Sequence, residues 1–169
     1  MMQGLGIKEQ GLGVAMLVSL MMGSLVTPAQ EIRLDGVSPV KKPHLVLLTD
    51  GVDVKAGAEQ TVELRFRVDA GYHINSHSPM DDLLIPTTLK FVPGMVKVAG
   101  TEYPQGEIIK LTGSGEGLDV YQGDFKVLVK LVAPRGFSTM TGTVRYQACD
   151  SASCFPPKTL AVRLAVTAK

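Results

Sequence analysis

The chain has 169 residues, a formal net charge of +1, no Trp and 5% aromatic residues. A near-neutral balance with no basic cluster argues against nucleic acid as a partner, and few aromatics leave no platforms on which bases stack. Eighteen Gly and ten Pro, together with frequent β-branched residues and no long helical periodicity, suit a β protein.

The first segment reads as an address rather than as fold. Lys8 and the amino terminus precede an uncharged, mostly apolar run from Gly11 to Val26. That run is sixteen residues long, short of the roughly twenty that a spanning helix needs. It fits the apolar core of a secretory signal, with Thr27-Pro28-Ala29 as a small-residue cleavage site. Residues 1–29 are therefore expected to be a signal peptide. The alternative is an uncleaved anchor in the inner membrane. Gln30 is not the cysteine that lipid attachment requires. No second apolar run of spanning length follows, so the mature chain is expected to be soluble and to form one domain with its own core.

Residues 30–42 carry Pro39 and little pattern and read as an extended leader, with the domain proper at 43–169. His44–Thr49 is the first expected strand. Asp50-Gly51 and Lys55-Ala56-Gly57 mark turns. Gln60–Val68 alternates cleanly, placing Val62, Leu64, Phe66 and Val68 inward. Gly71–Asn75 is a shorter strand, and Ser76–Ile85 a polar loop. Thr87–Val92 returns as a strand and ends at Pro93-Gly94. Met95–Ala99 and Glu102-Tyr103 supply the next pieces. Lys110–Asp119, with Gly113, Gly115 and Gly117, is the most flexible stretch. Phe125–Leu131, Gly142–Ala148 and Thr159–Val166 complete the pattern. Seven to nine short strands with turn chemistry between them predict an all-β, immunoglobulin-like sandwich.

The last two strands enclose Tyr146-Gln147-Ala148-Cys149-Asp150-Ser151-Ala152-Ser153-Cys154-Phe155-Pro156-Pro157, which holds both cysteines of the chain. In an oxidising compartment two cysteines this close are expected to pair. A bond closing about six residues is worth roughly 2 kcal/mol in the chain-entropy model, against about 4.7 for a hundred-residue loop. Stability alone would gain more from a longer loop, and a hairpin end is accessible to an attacking thiolate. Spacing by itself leaves both a permanent staple and an exchanging bond open. Strand alternation puts Cys149 on the polar face with Arg145 and Gln147, pointing to solvent. Pro156-Pro157 bars a regular ladder beside Cys154.

The order Gly71-Tyr72-His73-Ile74-Asn75, Ile85-Pro86-Thr87-Thr88-Leu89, Tyr103-Pro104-Gln105-Gly106, Val120-Tyr121-Gln122-Gly123 and Tyr146-Gln147-Ala148-Cys149…Cys154-Phe155-Pro156-Pro157 resembles the amino-terminal periplasmic domain of the thiol:disulfide interchange protein DsbD. The resemblance spans roughly 43–168, and the Tyr-Gln-x-Cys…Cys-x-Pro-Pro segment is its most specific part. It implies a periplasmic location, an immunoglobulin-like fold and a redox-active pair at Cys149 and Cys154, with Cys154 the sulfur that partners engage. Implied partners are thioredoxin-like proteins, including those of cytochrome maturation, disulfide isomerases, and a membrane electron carrier of the DsbD type. The implied activity is that of a protein-disulfide reductase, and no cofactor is implied. Tyr146, Asp150 and Phe155 flank the pair and are expected to modulate it. The family's cap loop corresponds to about Lys110–Leu118, where Leu111 and Leu118 stand in for its aromatic residue. Four residues separate the cysteines here, one fewer than in the family's best-known members. The membrane and thioredoxin domains of the full-length protein are not in this chain, so the expectation is that its electron donor is another protein or that the exchange role has been lost.

Asp150 beside Cys149 disfavours a second negative charge, so a strongly acidified thiol is not expected. His44, His73 and His77 read as ordinary polar or partly buried histidines rather than metal ligands. Asp81-Asp82 reads as a solvated turn. The glycines at 113–117 lack the Lys-Ser/Thr of a phosphate loop. The competing function is a binding or assembly module in which the disulfide only staples the hairpin.

Overall fold

The structure, a computed structural model, describes residues 43–110 and 117–169. The expected signal peptide, the leader and Leu111 lie outside the described residues. The described chain is all-β. Its strands are β1 (Leu45–Leu47), β2 (Gly51–Val54), β3 (Gln60–Val68), β4 (His73–Asn75), β5 (Thr88–Phe91) and β6 (Lys97–Glu102). They continue with β7 (Glu107–Lys110), β8 (Gly117–Tyr121), β9 (Asp124–Val132), β10 (Gly136–Tyr146), β11 (Ala148–Cys149) and β12 (Lys158–Ala168).

One sheet has the order β1-β3-β9-β6 and a second β2-β12-β10-β5. β3 alternates as its sequence requires, with Val62, Leu64, Phe66 and Val68 buried. β9 sets Val129 opposite Val62 and Val127 opposite Leu64. β10 and β12 run antiparallel for eleven residue pairs, from Gly136↔Ala168 to Tyr146↔Lys158. Their inward residues Met140, Val144, Tyr146, Val162, Leu164 and Val166 join those of β3 and β9 in one apolar cluster. Each large side chain so buried contributes about 1.5–3 kcal/mol. The result is the immunoglobulin-like sandwich that the alternation predicts.

Twelve strands stand among the described residues, where the pattern gave seven to nine. The additional ones are too short for a period. β2 replaces an expected turn and pairs in parallel with the end of β12. β7 and β8 pair with Lys110 opposite Gly117 and Ile109 opposite Leu118, so Lys110, Gly117, Leu118 and Asp119 lie in ladder rather than in flexible loop. Gly142 sits opposite Phe91 in the antiparallel β5–β10 ladder; a Cβ there would meet Lys90 O at 2.5 Å.

A third sheet, β11-β4-β8-β7, carries the cysteines. β10 ends at Tyr146, and after Gln147 the chain leaves β12 and pairs instead with β4. Among the described residues no helix is long and apolar enough to cross a membrane.

Candidate functional site

The eleven-pair ladder of β10 and β12 fixes the two ends of the cysteine segment, since Tyr146 and Lys158 lie directly opposite each other. Between them the chain folds into a smaller hairpin. Phe155 N donates to Ala148 O at 2.8 Å and Asp150 N to Ser153 O at 3.0 Å. These bonds bracket Cys149 and Cys154, which face each other as an isolated antiparallel bridge. Side chains come closest at such a non-hydrogen-bonded position. The Cα atoms are 3.9 Å apart and the sulfurs are joined as a disulfide.

Asp150 builds the turn. Its Oδ1 accepts the N–H groups of Ala152 and Ser153, each at 2.8 Å, an Asx arrangement that orders a short polar loop. The same two donors hold its carboxyl below the usual carboxylate range.

The two sulfurs meet different surroundings. Cys154 is exposed, whereas Cys149 is 0% exposed. Simple alternation put Cys149 toward solvent, and the structure corrects this. The period breaks at Gln147, and both Ala148 and Cys149 are buried because β11 has joined a sheet enclosed on both faces at that point.

β4 supports the buried cysteine. Its three residues are all buried, and its register is Cys149↔His73 and Ala148↔Ile74. His73 therefore shares a face with Cys149, and Cys149 in turn with Cys154. Burial depresses the pKa of His73, while the negative charge of Asp150 opposes this. Its Nε2 is buried without a hydrogen-bond partner. Gln147, between β10 and β11, ties the hairpin down. Its Nε2 donates to Phe155 O at 3.1 Å and its Oε1 accepts from Asn75 Nδ2 at 3.3 Å.

The remaining expected residues separate into those at the hairpin and those away from it. Phe155 is half-buried against His44 and Tyr72, with ring centroids at 5.6 and 6.0 Å, and His44 stacks on Tyr72 at 3.8 Å. Tyr146 is wholly buried in the sandwich core, and burial raises its phenol pKa against the opposing backbone amides of His44 and Leu45. Leu118 is half-buried on β8, beyond the Asn75–Val120 pair and away from the level of His73 and Cys149. Of the histidines, His77 is exposed and stacks on Tyr103 at 3.6 Å. His73, Asn75 and Gln147 were not singled out for the site in the sequence. Their roles depend on register between strands about seventy residues apart in the chain, which no local pattern announces.

A buried cysteine bonded to one at the surface suits thiol–disulfide exchange, which needs access to one sulfur and a departure route for the other. The family model described as "Thiol:disulfide interchange protein DsbD, N-terminal" matches residues 47–165. Among solved structures, the N-terminal periplasmic domain of ScsB from Proteus mirabilis superposes with a TM-score of 0.50 at 11% identity, covering 71% of this chain and 44% of that one. The reduced DsbD N-terminal domain of Neisseria meningitidis has a TM-score of 0.44 at 21% identity, covering 64% and 78%. The complex of the DsbD and PilB N-terminal domains from the same organism has 0.45 at 20%, covering 76% and 87%. No curated protein matches the chain. With the family model covering most of its length and a bonded cysteine pair in the matched segment, the chain belongs to the family of DsbD N-terminal domains.

Proposed function

We propose that this chain is an exported, periplasmic thiol–disulfide interchange domain, working as a protein-disulfide reductase that relays electron pairs through Cys149 and Cys154. Residues 1–29 are its signal peptide, 30–42 a leader and 43–169 the exchange domain. The observation that carries this reading is the unequal exposure of the two bonded cysteines, one buried and one at the surface. A partner thiolate attacks the exposed Cys154 sulfur, and a mixed disulfide forms. The Cys149–Cys154 bond breaks, and Cys149 leaves with the electron pair. A second thiolate of the partner then displaces Cys154, leaving the pair reduced and the partner oxidised. The reverse sequence delivers two electrons to an oxidised acceptor.

Family membership supports thioredoxin-like proteins and disulfide isomerases as acceptors and a membrane carrier of the DsbD type as donor. Asp150, Tyr146 and Phe155 shape the hairpin, and Leu111 is the remaining candidate for its cover.

The test is trapping. The reduced Cys149→Ala variant, which keeps only the exposed thiol, should form a mixed disulfide with an oxidised thioredoxin-like protein. The Cys154→Ala variant should form far less. Equal trapping by both, or none by either, would remove Cys154 as the point of contact.

A further inference from the structure

The proposed exchange leaves one step without a helper. In the direction that oxidises the pair, Cys149 must attack the mixed disulfide on Cys154, and only its thiolate is a nucleophile. Cys149 is fully buried, and burial in apolar surroundings raises a thiol's pKa. Water has poor access to take the proton.

The side chain beside Cys149 is His73. The two residues are directly opposite in the β4–β11 ladder, which sets their Cβ atoms about 4.5–5.5 Å apart on one face. Cys154 stands opposite Cys149 on its other side, so His73, Cys149 and Cys154 form one row across three strand segments. His73 is 4% exposed. Its Nε2 has no partner among the described residues, which is costly for a buried polar atom unless it serves something.

We propose that His73 is the base that accepts the Cys149 proton when the mixed disulfide is resolved, and the acid that returns it when the pair is reduced. This rests on the exchange reading above. In the resolving step Cys149–SH gives its proton to the neutral imidazole, and the thiolate attacks the Cys154 sulfur. The Cys154–partner bond breaks and the partner leaves as a thiolate. The pair is oxidised by two electrons and the partner reduced by two. The imidazolium so formed passes its proton to the leaving thiolate or to solvent.

The groups around the imidazole agree with this cycle. Cys149 faces it from β11, with Cys154 next in the row. Asp150 is the charged side chain whose field reaches it, favouring the transient imidazolium. The β4–β8 ladder pairs Ile74 with Tyr121 and Asn75 with Val120 and stops short of His73. Burial keeps the resting imidazole neutral at pH 7, as a base must be.

The test uses the reduced protein and 5,5′-dithiobis(2-nitrobenzoate), which reports each thiol separately. The first thionitrobenzoate release marks mixed-disulfide formation at Cys154, and the second marks its resolution by Cys149. In His73→Gln the first release should keep its rate, and the second should slow about tenfold or more at pH 7. Its pH profile should move toward the ordinary thiol value of about 8.5. His73→Asn gives a second variant with a smaller side chain. The unsubstituted protein needs no folding control: its second release should persist at pH 7 and fall only below about 6.5, the ordinary imidazole value. An unsubstituted profile that follows a thiol near 8.5, or a second release unchanged in His73→Gln, overturns the role of His73 while leaving exchange intact. Absence of the first release overturns both.

Discussion

Asn75 of β4 donates through Nδ2 to Oε1 of Gln147 at 3.3 Å, and Gln147 donates in turn to Phe155 O at 3.1 Å. One amide therefore bridges the strand beneath Cys149 and the residue after Cys154. Asn75 Nδ2 also donates to Ile85 O at 3.1 Å, so the same side chain holds the loop before β5.

Gln147→Ala removes the bridge and leaves a half-buried carbonyl and amide short of a partner. Truncating one side of such a bond costs about 1–3 kcal/mol. Chemical denaturation should show a loss in that range. Dithiothreitol should also reduce the disulfide faster in this variant, because the hairpin opens more often.

Asp150 carries a structural and an electrostatic role that substitution separates. Asp150→Asn keeps a side-chain oxygen for the N–H groups of Ala152 and Ser153 but removes the charge. Alkylation of the reduced protein by iodoacetamide should then be faster and set in at lower pH, since a neighbouring carboxylate disfavours a thiolate. Unchanged rates across pH would take the charge out of the account. Asp150→Ala should disorder the turn as well.

The same carboxylate makes the turn sensitive to acid. Its folded pKa lies below the unfolded value of about 3.9. Its contribution is thus complete above that value and is lost as pH falls through the lower folded pKa. The amide proton shifts of Ala152 and Ser153 should titrate with a midpoint below 3.9. A midpoint at or above it would show that the two bonds do not favour the ionised form.

Gly142 is required by the close approach of β5 to β10 at the Gly142–Phe91 pair. In Gly142→Ala the new Cβ would lie 2.5 Å from Lys90 O and 3.2 Å from Phe91 Cα. Both are backbone atoms in a paired strand, and overpacking of this kind costs about 1–3 kcal/mol. Thermal unfolding should show a lower midpoint with the exchange chemistry unaltered.

Much of the fold was legible because its central strands are long and buried on one face. Gln60–Val68 was bounded to the residue, and Val62, Leu64, Phe66 and Val68 face inward as alternation requires. β2 and β7 lie between turn residues and β11 is two residues long, so none of the three shows a period. At the site, the cysteine pair and the hairpin that presents it could be read from spacing and flanking strands. The burial of Cys149 could not. It follows from a switch of partner strand at Gln147, and the consequence of a one-residue break is a reversed face. The place of His73 opposite Cys149 is hidden for the same reason, since it follows only from the register of β4 with β11.

The measurement that bears most directly on the central claim is the reduction potential of the Cys149–Cys154 pair, taken by equilibration with glutathione or dithiothreitol buffers. Exchange predicts a value of roughly −180 to −270 mV, the range of known exchange proteins, with the fold kept in the reduced form. A value below about −300 mV with unfolding on reduction would mark a structural staple and contradict the account.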